Sequence, residues 1–339
     1  MTPRELRGMA VAVLLFLLVQ LGALVLVPEF VEQGYQPVEN PQDPTNSLAY
    51  IAAILVATGL MLAAFRFELD QLVRYVIVGS AGLLAWYVFA ALVPPVLAIG
   101  LSVAVSIALL VHPEWYVIDV AGVLMGAGAA GLFGISFGIL PALLLLSVLA
   151  VYDAISVYGT EHMLSLAEGV MDLRIPVILV IPLSLSYSLL ADDFSGAADV
   201  HDDGDTVDET DADAEVDADI DRDADATDAG DTATTDDEGR DAFFIGLGDA
   251  VIPAVLVASA ARFSPAASLD VPIVGLNLPA LFAMGGVFLG LVVLLRWVLR
   301  GRAHAGLPLL NGGAIGGYVL GSIAAGVPLL EALGIAGVV

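Results

Sequence analysis

The sequence contains no cysteine and no lysine. Without cysteine, the chain can form no disulfide, use no catalytic thiol and hold no Cys-ligated metal. Of its four histidines, His112 and His162 flank apolar runs, and neither has a histidine or an acid at metal-ligand spacing. We therefore expect neither a metal nor an organic cofactor, and the chemistry must rest on other side chains.

Basic residues are scarce and all eleven are arginine, against 38 acidic residues, which gives a net charge of −27. Of these acids, 22 lie between Asp192 and Asp241. An acid-rich, lysine-free composition is similar to that of archaeal proteins from salt-in halophiles, where screening by salt makes a high negative charge tolerable. No nucleic acid partner is expected for such a chain.

Apolar residues dominate the remainder: 59% of the chain is hydrophobic and its mean hydropathy is +0.92. They come in blocks of about 20 residues, the length that crosses a bilayer. The fold class predicted from these blocks is an all-α polytopic membrane protein with nine transmembrane helices. The predicted spans are Gly8–Val27, Ser47–Phe67, Gln71–Leu92, Pro94–Val111, Val117–Phe133, Phe137–Tyr158, Asp241–Ala261, Val271–Leu299 and Leu307–Ala325.

Arginine placement predicts the orientation of these spans. With the N-terminus inside, ten of the eleven arginines are cytoplasmic and only Arg262 is external, as the positive-inside rule prefers. Nine spans then place the C-terminus outside the cell membrane. The first apolar run lacks a small-residue cleavage site, so we interpret it as a helix and not as a removed signal.

The middle of the chain differs from both ends, which predicts four parts: 1–158, 159–190, 191–240 and 241–339. The acidic part 191–240 lacks periodic apolar residues and is predicted to be a disordered cytoplasmic linker. Residues 161–173 have the apolar spacing of an amphipathic interfacial helix. Ile175–Leu190 is short and contains Pro176 and Pro182, so we predict an extended segment that does not span.

Two acids lie inside predicted spans, Asp153 and Asp249. A charge at membrane depth costs about 2.5–3.5 kcal/mol on insertion scales, so each is a functional candidate. Asp153 lies about five residues from the cytoplasmic end of span 6, and Asp249 about eight residues into span 7, roughly 8 and 12 Å deep. We therefore expect the two carboxyls to meet and to share one proton, since adjacent like charges cannot both ionise. One can then take a proton from water while the other donates to a carbonyl oxygen.

Tyr152-Asp153 and Gly246-Leu247-Gly248-Asp249 resemble the YD and GxGD motifs of the presenilin and signal peptide peptidase family, archaeal presenilin homologues in particular. The resemblance covers essentially the whole chain, because the family also carries its acids on spans 6 and 7 with a long hydrophilic connection between them. It implies an intramembrane aspartyl endopeptidase that cleaves transmembrane peptide or protein substrates in the lipid bilayer. It also implies activity without obligatory subunits, and a homo-oligomer is left open.

The family's third motif, PAL, begins its ninth span and shapes the active site. Two literal copies, Pro141-Ala142-Leu143 and Pro279-Ala280-Leu281, lie in spans 6 and 8 and are interpreted as decoys. By position the match is Pro308, Leu309 and Leu310, and we expect Pro308 to hold the start of span 9 out of regular helix.

A helical substrate must unwind before hydrolysis, and free strand edges could then accept it by β-augmentation. The predicted edges are Val177, Ile178, Leu179 and Val180, together with the backbone around Leu309; the resemblance implies the same mode of binding. The hydroxyl of Tyr152 is expected to form a hydrogen bond near the two acids. Gly246 and Gly248 are expected to let a backbone approach closely.

Two other functions are considered beside this one. A prepilin-peptidase-like enzyme also carries GxGD, but a basic residue usually follows its aspartate closely, and here Ala250-Val251-Ile252 follows. A secondary transporter or cation-leak channel would use the paired acids to carry ions. Such transporters often contain internal repeats, and the two halves of this chain show no convincing one. The predicted orientation also disfavours the signal peptide peptidase branch, whose topology is inverted.

Overall fold

The computed structural model describes residues 3–159, 176–184, 187–190, 242–269, 271, 274–298 and 305–335. The predicted interfacial helix at 161–173 and the acidic linker at 191–240 lie outside these ranges. Within them, the long helices are α1 (Pro3–Glu32), α2 (Thr45–Arg66), α3 (Asp70–Leu92), α4 (Pro95–Val111), α5 (Trp115–Ser136), α6 (Ile139–Gly159), α7 (Leu247–Phe263), α8 (Leu278–Val298) and α9 (Gly306–Ala324). A short helix, α10 (Leu329–Ala332), follows.

Each of the nine predicted spans overlaps one of these helices, which confirms the all-α polytopic architecture. Span 8 was predicted to begin at Val271, but its helix begins at Leu278, after the strand Leu276–Asn277. Seven helices in the described ranges are long and apolar enough to cross a membrane. The other two, α4 and α7, have 17 residues each. That all nine cross the bilayer stays a prediction.

The start of span 7 was predicted wrongly. Helix α7 begins at Leu247 and not at Asp241, because Ala242–Gly246 form a strand, β2. Aromatic and β-branched residues favour strands, and a short apolar run does not by itself distinguish strand from helix. Asp249 is consequently the third residue of α7 and not the eighth. Its depth in the membrane stays a prediction.

Strand β2 pairs with the segment that was predicted to be extended, and this prediction is confirmed. Strand β1 (Ile178–Pro182) runs antiparallel to β2, with Ile178 opposite Gly246 and Pro182 opposite Ala242. The N–H of Leu247 then donates to the carbonyl of Val177 at 2.8 Å, so the pairing continues into the first residue of α7. The sheet therefore ties the chain before the acidic linker to the chain after it. Two more strands, β3 (Ser268–Leu269) and β4 (Leu276–Asn277), pair between α7 and α8.

Helix α7 lies at the centre of the bundle and packs against α1, α5, α6, α8 and α9. Every residue from Ala254 to Ala260 is buried. By contrast, α2 buries little more than Ser47. Its apolar side chains, such as Val56 and Leu60, are exposed on the surface that faces lipid. Because protein surrounds α7 on all sides, its length need not match the thickness of the bilayer.

Helices α8 and α9 meet along glycines that allow backbone-to-backbone contact. A side chain at Gly286 or Gly313 would overlap the backbone of the other helix, and one at Gly290 would overlap the carbonyl of Leu309. This close packing places the first turn of α9 against α8. The backbone around Leu309 is therefore in a helix packed on α8 and does not offer the free edge predicted for it.

The prediction that Pro308 keeps the start of span 9 out of regular helix is wrong. Pro308 is the third residue of α9. The first four N–H groups of a helix have no carbonyl partner within it. Proline in that turn therefore loses no hydrogen bond and its fixed φ suits the helix.

Candidate active site

The carboxyl of Asp153 is held by the start of α9. Asp153 lies near the end of α6 and is 7% exposed. Its Oδ2 accepts a hydrogen bond from the backbone N–H of Leu307 at 3.0 Å. Leu307 is the second residue of α9, so its N–H has no partner inside the helix.

The carboxyl of Asp249 lies against Gly306, the residue before Leu307. A methyl group built on Gly306 would lie 3.1 Å from Oδ2 of Asp249 and 3.3 Å from its Cγ, closer than side chains normally pack. Asp249 is half-buried in the first turn of α7. Four residues later comes Pro253, which has no N–H to donate to the carbonyl of Asp249. The first turn of α7 is thus held less tightly than an ordinary helical turn.

The structure brings the two aspartates to one place. Asp153 and Asp249 contact Leu307 and Gly306, whose Cα atoms are about 3.8 Å apart as in any trans peptide. The two carboxyls are also close enough to interact electrostatically. The ends of α6, α7 and α9 that carry these four residues therefore converge on one site.

A second polar contact aligns α6 with α9. Asn311, one turn beyond Leu307, is fully buried, and its Nδ2 donates to the carbonyl of Leu146 at 2.9 Å. Leu146 lies two turns before Asp153 on the same helix. Within the described ranges, the Oδ1 of Asn311 has no hydrogen-bond partner. Asn311 therefore satisfies a backbone carbonyl of α6, whereas its own side-chain oxygen stays unpaired among the described residues.

A cavity of about 160 Å³ opens beside Asp249. Strand β2 contributes four consecutive residues to its wall, and α1, β1, α7, α8 and the start of α9 contribute the rest. The residues that line it are Glu5, Gly8, Met9, Ile181, Phe243, Phe244, Ile245, Gly246, Asp249, Leu294, Leu295, Val298 and Gly306. The site can thus receive a chain along β2 within reach of Asp249.

Among the residues that the structure describes, Gly246 and Gly248 border open space and not a neighbouring helix. A methyl group on Gly246 would lie 3.7 Å from Oδ2 of Asp249, and one on Gly248 would lie 3.9 Å from Ile252. Both are ordinary contacts. The residue between them, Leu247, is buried. Packing within the chain therefore does not require either glycine, and the approach of another backbone to them stays a prediction.

Tyr152 does not form the predicted hydrogen bond near the acids. It is 46% exposed, and in the part of the chain that the structure describes its hydroxyl has no hydrogen-bond partner. Successive helical residues point about 100° apart, so the neighbour of a buried residue such as Asp153 readily points outward.

The residues of α9 that touch the aspartates are Gly306 and Leu307, which sequence reasoning missed by two positions. The predicted Pro308, Leu309 and Leu310 continue the same turn. The leucine was the available signal, because Ala305-Gly306-Leu307 keeps the last residue of PAL while differing at the first two. The literal copies at 141–143 and 279–281 lie in the first turns of α6 and α8, so α6 carries its copy at the end opposite Asp153.

The predicted substrate-pairing residues are engaged within the protein. Residues 177–180 pair with β2 and Leu247, and the outward N–H of Val180 donates to Oδ1 of Asp119 at 2.8 Å. Pairing of these residues with a substrate stays a prediction. The contact of Asp119 to β1 was not predicted from the sequence.

Among the residues that the structure describes, no group of three histidine, aspartate or glutamate side chains is arranged to hold a metal ion. The carboxyl pair beside the cavity is the chemically distinctive feature of this region. Two carboxyls that share a proton can polarise a water molecule and a carbonyl at once, which is acid–base chemistry suited to peptide hydrolysis.

The fold and site together define a polytopic membrane protein that carries paired aspartates at the ends of its central helices. The family model described as "Signal-peptide peptidase, presenilin aspartyl protease" matches residues 13–327. The chain belongs to this family of aspartyl proteases, and it is an aspartic endopeptidase of the intramembrane type.

Solved structures agree with this assignment. A presenilin family intramembrane aspartate protease solved in space group C222 is 30% identical, with a TM-score of 0.61, covering 93% of this chain and 99% of that one. A structure solved in space group P2 is also 30% identical, with a TM-score of 0.57, covering 94% and 97%. No curated protein matches the chain. These comparisons give no support to the transporter alternative.

Proposed function

We propose that Asp153 and Asp249 form the catalytic dyad that hydrolyses peptide bonds within transmembrane segments. The observation that carries this proposal is that the two carboxyls contact consecutive residues, Leu307 and Gly306, at the start of one helix. The cavity beside Asp249 supports it, because it provides space for a substrate at the acids.

The dyad works with one proton between its two carboxyls. The ionised carboxyl takes a proton from water while the water oxygen bonds to the carbonyl carbon, and the protonated carboxyl gives its proton to the carbonyl oxygen. The resulting tetrahedral diol then collapses: the carboxyl that took the proton from water gives it to the nitrogen as the C–N bond breaks. The other carboxyl takes a proton from one hydroxyl of the diol, so that a carboxylic acid remains and the dyad again holds one proton. Neither aspartate is assigned here as the base, since the two titrate as a pair.

The substrate is proposed to unwind and to join the sheet beside the acids. Phe243 to Gly246 of β2 line the cavity, so an extended peptide that follows β2 would reach Asp249. Val177 to Val180 would then contribute as the strand behind β2, with which they already pair. Main-chain hydrogen bonds of this kind hold a peptide without requiring one side-chain sequence.

The proposed placement in the cell membrane follows the arginines. The N-terminus and the connection between α6 and α7 are cytoplasmic, and the C-terminus is external. The linker at 191–240 would then separate two parts, 1–158 and 241–339, that together form the site, with 159–190 between them. We propose that the chain acts without obligatory subunits.

The test uses purified protein in detergent at high salt with a single-span peptide substrate. Wild type is compared with Asp153→Asn and Asp249→Asn, and products are identified by mass spectrometry. We expect cleavage by wild type and none by either variant, since asparagine keeps the size of the side chain but cannot exchange the proton. Equal cleavage by all three proteins would overturn the dyad and indicate a contaminating protease.

A further inference from the structure

Asp119 is a buried acid that the dyad does not use. It is the fifth residue of α5 and is 5% exposed. Its Oδ1 accepts the backbone N–H of Val180 at 2.8 Å. Burying a carboxyl away from water is costly unless it forms hydrogen bonds, so this contact accounts for where the side chain points.

The N–H of Val180 belongs to the outer edge of β1. In an antiparallel pair, alternate residues direct their N–H groups toward the partner strand and away from it. Val177 bonds to Leu247, so the residues that face β2 are 177, 179 and 181, and Val180 faces away. An added strand on this edge would need the N–H that Asp119 already accepts.

Helix α5 also supports the rest of the sheet. A methyl group on Gly122 would lie 3.0 Å from Leu179, and one on Gly126 would lie 3.3 Å from Leu247. Both glycines follow Asp119 on the buried side of α5. Because Leu247 begins α7 two residues before Asp249, α5 holds both the sheet and the start of the catalytic helix.

We propose that Asp119 is a positioning residue that locks β1 to α5 and thereby sets which peptide bond reaches the dyad. It closes the outer edge of β1 at Val180 and directs an incoming strand to the β2 side, where the cavity lies. It also fixes where along α5 the sheet lies, and thereby the position of the sheet relative to Asp249. This inference rests on the proposed function, because it concerns the placement of the substrate at that same site.

The experiment replaces Asp119 in three ways. Asp119→Asn keeps an acceptor oxygen of the same reach, Asp119→Glu keeps the charge but lengthens the side chain, and Asp119→Leu removes the acceptor. Ser136→Ala is the matched control, since Ser136 is a buried polar residue of α5 whose hydroxyl donates to Leu132 within the same helix. The readouts are kcat, KM, the ratio of products cut at neighbouring bonds, and hydrogen exchange of the peptide covering 177–183.

We expect Asp119→Asn to retain the wild-type product ratio. Asp119→Leu should lower kcat by about tenfold, the effect of losing one buried hydrogen bond. Its products should spread over neighbouring bonds, and segment 177–183 should exchange faster. Asp119→Glu should move the main cut, because its carboxylate reaches farther. A change of global stability alone would lower the amount of active enzyme and leave the product ratio unchanged.

Three results would overturn the proposal: unchanged products and exchange in Asp119→Leu, loss of activity in Asp119→Asn as complete as in Asp119→Leu, or the wild-type cut in Asp119→Glu. If Asp119→Leu does not fold, Asp119→Glu still tests the proposal by where it cuts, and Asp119→Asn is compared with wild type: loss of the wild-type product ratio in Asp119→Asn would overturn it. Wild type and Asp249→Asn are assayed in parallel, so failure of the dyad is seen separately. The exchange measurement requires no activity.

Discussion

The backbone N–H of Leu307 donates to Oδ2 of Asp153 at 3.0 Å and joins the start of α9 to the end of α6. The donor is one of the N–H groups that a helix cannot satisfy internally, and the acceptor is an acid at membrane depth. This one hydrogen bond therefore satisfies both the N–H of Leu307 and the buried carboxyl of Asp153. The same turn brings Gly306 against Asp249, so the start of α9 organises both carboxyls.

Removing the N–H of Leu307 should reduce catalysis. Leu307→Pro deletes the donor in a helical turn that tolerates proline, whereas Leu307→Ala keeps the donor and removes the side chain. A hydrogen bond to a charged group contributes about 1.5–3 kcal/mol, so we expect kcat to fall roughly 10- to 100-fold in Leu307→Pro. Peptide cleavage followed by mass spectrometry measures it. Equal losses in both variants would show that the side chain matters and the N–H does not.

A side chain at Gly306 should displace Asp249. The first methyl carbon would already lie 3.1 Å from Oδ2, and the two further carbons of Gly306→Val add bulk beside the carboxyl. We expect the variant to fold and to lose most of its activity. Gly312→Val is the matched control on the same helix, because a methyl group there meets nothing within 4 Å. Activity of Gly306→Val equal to that of Gly312→Val would contradict the contact.

The two buried asparagines should differ in what they contribute to stability. Asn277 is satisfied at both ends: Nδ2 donates to Ala260 at 2.8 Å and Oδ1 accepts from Ala280 at 2.9 Å. Asn311 has one bond and, in the part of the chain that the structure describes, one unpaired oxygen. A bond contributes about 1 kcal/mol and an unpaired buried group costs about 1–3, so Asn311→Leu should be nearly neutral.

Asn277→Leu should destabilise the protein clearly, because it removes two bonds and the cap of α8. The measurement is the loss of folded monomer on heating in detergent, followed by size-exclusion chromatography. The prediction fails if Asn311→Leu is the less stable of the two variants.

Glu114, just before α5, should make the stability depend on pH. Burial alone would raise its pKa, but hydrogen bonds from Ser188, Leu189 and Trp115 outweigh burial. The charge of His112 acts in the same direction, so the pKa of Glu114 in the folded protein lies below its ordinary value of 4.5. A lowered folded pKa contributes stability that is complete above pH 4.5 and is lost as the pH falls through the folded pKa.

Comparison with Glu114→Gln isolates this contribution from the other carboxyls. The stability difference between wild type and the variant, measured by thermal unfolding, should be constant above pH 4.5 and should shrink at lower pH. A difference that stays constant throughout, or that grows on acidification, would show that the lowered pKa is not the cause.

Much of this fold is predictable because its signals are local. Each apolar block is about as long as a bilayer is thick, and a helix is the conformation in which such a segment satisfies its own backbone. The two aspartates stand out for the same reason, since a charge within an apolar block is rare. Their motif and their position on consecutive spans then identify them as candidates.

The boundaries at the site were not predictable in this way. The run Phe243–Ile245 suits a strand or a buried helix equally well, and pairing with β1 decides for the strand. Pro308 reads as a helix breaker, yet it lies in the one turn where proline costs nothing. Gly306 has no side chain, and Leu307 acts at the site through its backbone N–H. The type of residue at these two positions therefore does not indicate the role of either.

The sequence by itself determined the membrane class, the nine helical segments, the extended segment after α6 and the two acids. The tertiary structure decided where α7 begins, which turn of α9 holds the carboxyls, and that Asp119 binds the edge of β1. These features depend on backbone groups of residues far apart in the chain, as between Leu307 and Asp153. Every residue except proline carries the same N–H, so the order of side chains does not show which of them will be paired.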